Sequence, residues 1–134
     1  MGALTVLVVD DQEDIARMVS RALSKHFGSD AQYALSVDDA LLAIRDRVPD
    51  VVVSDLNMGP RHGDELLRAI RASHPSILRI LHTSTEPEIL ESLLELQVAH
   101  DIVKKDGTAK GLILAIERFS QAADGVRRAS AGHR

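Results

Sequence analysis

Five short stretches typical of strands alternate with five stretches of helical periodicity along this chain of 134 residues, and this alternation constrains the fold more than any other feature. The strand-like stretches cover residues 4–9, 31–35, 50–54, 77–82 and 100–103, and most of them are largely apolar. The central run reads VVV without a polar break, which is typical of a parallel strand covered by helices on both faces. The pattern predicts a doubly wound α/β fold with a parallel sheet.

The predicted helices cover 13–27, a stretch from Ser36 to just before Pro49, 63–72, 86–96 and 108–123. Right-handed crossovers leave few strand orders open. We expect the flavodoxin-like order 2-1-3-4-5, in which the first and third strands lie side by side. Residues 1–123 are predicted to form one domain. Residues 124–134 have no apolar periodicity and are predicted to form a flexible polar tail.

Composition excludes several kinds of site. The chain has no cysteine, which rules out disulfides and thiolate metal ligands. Its net charge of −4 argues against a nucleic-acid-binding surface, which usually needs a basic face. The apolar run at the N-terminus is too short for a signal peptide or a membrane span. We therefore expect a soluble, cytoplasmic protein that binds neither nucleic acid nor membranes directly.

Carboxylates follow two of the predicted strands. Asp10 and Asp11 close the first strand, and Asp55 closes the third. Because ligands of open α/β sheets gather at the carboxyl ends of the strands, these three side chains are expected to converge. Carboxylates in one pocket raise one another's pKa or bind a cation, and an oxygen-only ligand set suits Mg²⁺ or Mn²⁺. A carboxylate beside such an ion can attack phosphorus.

The remaining strand ends carry groups that suit phosphoryl transfer, which requires donors and positive charge around the phosphoryl oxygens. Thr83 and Ser84 follow the fourth strand, and Lys104 and Lys105 follow the fifth. Taken alone, Asp10, Asp11 and Thr83 are better explained as helix caps, Asp55 as a turn residue and the two lysines as a solvated charge pair. Their joint placement at the strand ends favours a site. His82 is interpreted as a strand residue whose ring is hydrogen-bonded.

The stretches VLVVDDQED, VVVSDLNMG, ILHTST and AHDIVKKDG resemble the receiver domain of bacterial two-component response regulators, over about residues 4–121. The resemblance implies a phosphoacceptor at Asp55 and a Mg²⁺ site. It assigns roles to further residues, namely Asp11 as direct metal ligand, Asp10 as ligand through water, Asn57 as ligand through its backbone carbonyl, Thr83 as switch hydroxyl, Ser84 as its small neighbour and Lys105 as phosphate-binding lysine. Lys104 is the alternative for the last role.

Three positions depart from the family pattern. Ile102 stands where the family has its switch aromatic residue, and Asp106 stands where it has a proline. Gly59-Pro60 after Met58 departs from the commoner Met-Pro order. The first two departures put the usual switching geometry in question, and the peptide bond before Asp106 need not be cis. They leave the phosphoacceptor chemistry untouched.

The resemblance implies a single-domain phosphoacceptor switch that receives its phosphoryl group from a histidine kinase or a phosphotransfer protein. Its output is expected through protein–protein contact at the face of helix four, strand five and helix five. The apolar residues Leu96, Val98, Ile113 and Leu114 either add to this face or form a wide apolar stripe against the sheet, and the sequence leaves both open. Dimerisation on phosphorylation stays open. The protein is not expected to be an enzyme beyond its own phosphorylation and dephosphorylation.

Three alternatives remain. Ile102 and Asp106 favour a receiver-fold interaction module that does not use phosphate. A phosphatase of the dehalogenase-like type requires a second aspartate where Asn57 stands, and an amide cannot act as a general acid. A nucleotide-binding flavodoxin-like protein is disfavoured because the sequence has no glycine-rich phosphate loop.

Overall fold

The computed structural model describes residues 4–132, with side chains described through residue 122. Five parallel strands form one sheet in the order β2-β1-β3-β4-β5, which confirms the predicted topology. The strands are β1 (Val6–Val9), β2 (Ala31–Ala34), β3 (Val51–Ser54), β4 (Leu78–Thr83) and β5 (Asp101–Lys104). All residues of β1 and β3 are buried, as expected for strands covered on both faces.

The helices are α1 (Glu13–Phe27), α2 (Val37–Asp46), α3 (Gly63–Ser73), α4 (Glu91–Glu95) and α5 (Lys110–Gly132). Gly28 ends α1 in the left-handed conformation, with φ of 63°, where glycine carries no steric cost. The Ser36 side chain caps α2 by accepting a hydrogen bond from the Asp39 amide. Among the described residues, no helix is both long and apolar enough to cross a membrane.

Two apolar clusters cover the two faces of the sheet. On one face Leu7, Val9 and Val52 belong to the same buried cluster as residues of α2 and α3. On the other face Val6, Val8 and Val53 share a cluster with residues of α1 and α5. Alternate residues of one strand thus enter opposite clusters, because successive side chains of a strand point to opposite faces. This double cover fixes the strand register and therefore the positions of the strand ends.

Two predicted helix bounds are wrong. The predicted helix 86–96 is a 3₁₀ turn, Pro87–Leu90, followed by the short α4. Only Leu93 of α4 is buried, so little tertiary packing supports a regular helix there. The last helix, predicted to end at residue 123, continues to Gly132, since Ala and Arg in this stretch favour helix. The flexibility of 124–134 stays a prediction.

The predicted output face is partly corrected. Val98 is fully buried and belongs to the core, because its amide bonds back to Leu93 at the end of α4 and its side chain turns inward. Leu96 and Leu114 are exposed, as expected. Ile89 in the 3₁₀ turn is more exposed still, at 73%. The apolar surface near α4 therefore comes from residues of the 3₁₀ turn and of the helices rather than from Val98.

An arginine inside the apolar strand β4 joins two connections. Arg79 is 3% exposed. Its guanidinium donates to the carbonyls of Pro75 and Ile77, which precede β4, and to those of Gln97 and Val98, which precede β5. Gln97 has a φ of 58°, a left-handed conformation that is uncommon for a residue with a side chain. Arg79 therefore holds an unusual loop conformation against the sheet.

Candidate functional site

The pairing of β1 with β3 brings the acidic strand ends together. Val9 pairs with Ser54, and the next residue, Asp55, donates its amide hydrogen to the Val9 carbonyl at 2.8 Å. One carboxylate oxygen from each of Asp10, Asp11 and Asp55 lies within 4.8 Å of the others. Asp10 and Asp55 are buried, whereas Asp11 is exposed. The convergence expected from the strand order is thus present.

Lys105 reaches this cluster from the end of β5. Its ammonium lies 2.8 Å from Asp10 Oδ2 and 3.3 Å from Asp55 Oδ2. Its backbone amide donates to the Thr83 carbonyl at 2.8 Å, which fixes the end of β5 against β4. Lys104 points away, and its ammonium pairs with Glu86 at the surface. Of the two lysines considered from the sequence, only Lys105 contacts the carboxylates.

Burial and charge shift the ionisation of the site. Burial raises the pKa of the Asp55 carboxyl above its usual range, and the Asp10 charge adds to this, although the Lys105 ammonium opposes it. Burial lowers the pKa of Lys105, but the hydrogen bond to Asp10 and the charge of Asp55 outweigh burial, and the net shift is upward. The ammonium therefore stays charged and partly neutralises two buried carboxylates.

The other predicted site residues lie at the end of β4 and in the connections that follow β3 and β4. Thr83 is fully buried at the end of β4, and its Oγ1 accepts a hydrogen bond from the Thr85 amide at 3.2 Å. Ser84 and Asn57 are exposed in the connections after β4 and β3. Ile102 is buried in β5 and belongs to the same apolar cluster as Leu93. No peptide bond within residues 4–132 is cis, so the bond before Asp106 is trans.

Sequence reasoning missed the role of Gly63. Its amide donates to the Leu56 carbonyl at 2.8 Å, which brings the start of α3 close to the connection after β3. A Cβ on Gly63 would lie 1.8 Å from the Asp55 carbonyl oxygen and 2.8 Å from Ser54 Oγ. The Ser54 hydroxyl donates to that same carbonyl at 2.8 Å. Gly63 thus lets a helix pass directly against the backbone of the central aspartate.

The interpretation of His82 is partly wrong. The residue lies in β4 as expected, but it is 4% exposed and no described residue hydrogen-bonds its Nε2. Burial, followed by the Lys105 charge, lowers its pKa to about 4. The ring is therefore neutral at pH 7. It is not a member of the carboxylate cluster, which consists of Asp10, Asp11 and Asp55.

We expect Asp55→Asn to raise the free energy of unfolding at pH 7 when divalent cations are absent. The unfolded chain ionises this carboxyl near its ordinary pKa of about 4, whereas the folded chain ionises it at higher pH. Wild type therefore loses stability as the pH rises from the pKa of Asp55 in the unfolded chain to its higher pKa in the folded chain, and the variant does not. Urea unfolding at several values between pH 3 and pH 7 measures the difference.

The advantage of the variant should be absent at pH 3, where the carboxyl is protonated in both states. A control with Mg²⁺ should reduce the difference at pH 7, because a bound cation stabilises only the ionised wild type. Equal stabilities of the two proteins at pH 7 without divalent cations would contradict the upward shift of the Asp55 pKa.

The donor set fits a hard divalent cation. All three acidic groups supply oxygen, and one of them is open to solvent, so an ion can enter and keep part of its water shell. Asp10 already accepts hydrogen bonds from Lys105 and from the Gln12 amide, at 2.8 and 2.9 Å. The arrangement joins a buried carboxylate, oxygen donors that suit a divalent cation and a fixed ammonium, which are groups of the kind that phosphoryl transfer requires.

Comparisons with known proteins agree with this geometry. A family model described as the response regulator receiver domain matches residues 6–117. The protein-glutamate methylesterase/protein-glutamine glutaminase 3 of Rhodospirillum rubrum is 31% identical over 115 residues, which are 84% of this chain and 31% of that protein. This chain therefore spans about a third of the length of that curated relative.

Solved structures show the same fold. NtrX from Brucella abortus aligns with a TM-score of 0.81 and 32% identity, over 96% of this chain and 29% of that chain. The chemotaxis response regulator CheY4 of Vibrio cholerae aligns with a TM-score of 0.77 and 26% identity, over 87% of this chain and 98% of that chain. The similarity thus extends over nearly the whole of one short relative and over one part of a longer one.

Proposed function

Because the chain belongs to the response regulator receiver family of two-component systems, we propose that Asp55 is its phosphoacceptor. The observation that carries this proposal is the position of the Lys105 ammonium, 2.8 Å from Asp10 and 3.3 Å from Asp55. A buried carboxylate beside a fixed positive charge and two further acids is equipped to receive a phosphoryl group and to compensate its charge.

In the proposed reaction, an Asp55 carboxylate oxygen forms a bond to the phosphorus of a phosphohistidine. The phosphorus–nitrogen bond of that donor breaks, and its electron pair returns to the imidazole. The product is an acyl phosphate on Asp55. A histidine kinase or a phosphotransfer protein is the proposed donor. Lys105 and the Thr83 hydroxyl are the proposed ligands of the phosphoryl oxygens, after Lys105 leaves its contact with Asp10.

Mg²⁺ is the proposed cofactor, with Mn²⁺ as a substitute. Asp11 and Asp55 would bind it directly, Asp10 would bind it through water, and Asn57 would contribute its backbone carbonyl. The acidic cluster supports this assignment, since its carboxylate oxygens lie within 4.8 Å of one another. When bound, the ion supplies positive charge that offsets the charge on the transferring group.

The proposed output is protein–protein contact at the face formed by α4, β5 and α5. Large apolar side chains are exposed in the 3₁₀ turn before α4, in and just after α4, and in α5, namely Ile89, Leu94, Leu96 and Leu114. Exposed apolar surface is typical of a contact site where such side chains adjoin one another. Catalysis of repeated turnover is not part of the proposal. Any activity of a longer protein that contains this chain lies outside it as well.

Ile102 favours the second candidate, a receiver-fold interaction module that does not use phosphate. The side chain is 9% exposed and packs in the core. Isoleucine also has no ring that could turn between solvent and the interior. A module of this kind would bind its partner without ever carrying a phosphoryl group on Asp55. The phosphoacceptor proposal and the module are distinguished by the experiment below.

We expect acetyl phosphate with Mg²⁺ to add one phosphoryl group to wild type and none to Asp55→Asn, as measured by intact mass. Chelation of divalent cations should abolish the addition to wild type. Glu13→Gln, a change of the same kind at an exposed acid on α1, serves as the matched control and should be phosphorylated like wild type. Absence of phosphorylation in wild type would favour the phosphate-independent module.

A further inference from the structure

A basic cleft lies at the opposite end of the sheet from Asp55. It has a volume of about 600 Å³ and runs between the C-terminal part of α3 and the loop before β5. Arg68, Arg71, Arg79 and His100 line it, and none of the described residues lining it is acidic. A cleft of this size suits a small molecule rather than a protein surface.

The floor of this cleft carries a buried charge that is not neutralised. Arg79 forms no ion pair with any side chain described in the structure, and its partners are neutral backbone carbonyls. A guanidinium has five N–H donors. Four of them are used in these bonds, which leaves one Nη2 hydrogen without a described acceptor. A buried charge in this state attracts an anion strongly, because the surroundings screen it poorly.

The remaining cations increase the positive potential. Arg71 is exposed and, among the described residues, also has no carboxylate partner. Its charge adds to burial in lowering the pKa of Arg79, so the two guanidiniums are close enough to repel each other. Among the described residues, Arg68 pairs with Asp64 alone, at a distance of 3.7 Å. A bound anion would relieve the repulsion between Arg71 and Arg79.

His100 supplies a neutral donor beside these cations. Its Nδ1 accepts a hydrogen bond from the Arg79 amide at 2.9 Å, so in the neutral ring the proton lies on Nε2. Burial and the Arg79 charge lower the pKa of His100, which keeps the ring neutral at pH 7. Its Nε2–H is therefore a donor that an anion in the cleft can use.

We propose that this cleft binds a small, multiply charged phosphate ligand, with Arg68 and Arg71 on its oxygens and Arg79 as the buried charge beneath it. Guanidinium forks match phosphate oxygens in pairs, which favours phosphate over a single carboxylate. The proposal does not depend on phosphorylation of Asp55, because the cleft and the acidic cluster lie at opposite ends of the strands.

The test is calorimetric titration of the whole chain with inorganic pyrophosphate, in the Asp55→Asn background and without divalent cations, so that the acidic site does not contribute. Arg71→Gln should weaken binding by about tenfold or more, since it removes a charge-assisted hydrogen bond. Arg45→Gln is the matched control, because Arg45 is exposed on α2, and it should change the affinity by less than about twofold.

Saturable binding with this difference between the variants, together with NMR shifts at the His100 ring, would support the site. No saturable binding at millimolar pyrophosphate would overturn it. Equal weakening by both variants would also overturn it, because that result indicates attraction to net charge only. Tighter binding of citrate or of an acidic peptide than of pyrophosphate would overturn the assignment to a phosphate ligand.

Discussion

Lys105→Ala is expected to slow phosphorylation of Asp55 by acetyl phosphate by about 100-fold or more, the usual effect of removing one fixed donor from a site of charge stabilisation. Lys105 is the only lysine within reach of the carboxylates in the described structure. Without it, Asp10 and Asp55 face each other with no opposing charge. The raised pKa of Asp55 should then rise further, because the strongest opposing influence is lost.

Lys104→Ala is the matched control. It removes the same side chain one position earlier, where the ammonium pairs with Glu86 at the surface, and exposed pairs of this kind contribute little. The rate of phosphorylation, followed by intact mass against time, should stay within about twofold of wild type. Similar rates of phosphorylation for the two variants, or a slower rate for Lys104→Ala, would show that Lys105 is not the phosphate-binding lysine.

The alternation of apolar runs and helical stretches was enough to predict the strand order and the convergence of the acids. Strands buried on both faces need apolar runs without polar breaks, and right-handed crossovers allow few strand orders, so the sequence pattern limits the topology closely. The sequence pattern decides less well which of Lys104 and Lys105 faces the carboxylates, because successive residues of a strand point in opposite directions. A shift of one residue in the register of β5 exchanges their positions.

Other features depend on distances that a sequence pattern does not contain. Val98 looked like additional surface, yet the turn at Gln97 directs it into the core. Arg79 interrupts an apolar strand. The amino-acid sequence does not show that carbonyls from two loops, which are distant in the chain, surround its guanidinium. The helical bounds near α4 failed for a related reason, since packing rather than propensity decides whether a short helix is regular.

The steric role of Gly63 leads to the second prediction with a large effect. Gly63→Ala is expected to lower the free energy of unfolding by about 3 kcal/mol or more, at or beyond the upper end of typical overpacking costs. Helix propensity alone predicts the opposite sign, since alanine in a helix is favoured over glycine by about 1 kcal/mol. Sterics should prevail, because the new Cβ would lie 1.8 Å from the Asp55 carbonyl oxygen.

Relief of this clash requires the backbone to move, since the atom that is met is not the end of a flexible side chain. The start of α3 must separate from the connection after β3, and Asp55 is displaced with it. We therefore expect slower phosphorylation of the variant even under conditions in which it is folded. Urea unfolding measures the first effect, and intact mass with acetyl phosphate measures the second.

Gly59→Ala provides the comparison within the same connection. Gly59 has a φ of 38°, and a Cβ there would meet nothing within 4 Å. Its replacement should cost about 1 kcal/mol through backbone strain alone and should leave the position of Asp55 unchanged. If the two variants were equally stable and equally active, the contact between α3 and the Asp55 carbonyl would not constrain the site. A loss of stability and phosphorylation in Gly63→Ala alone would instead show that the absence of a side chain at residue 63 keeps Asp55 in position.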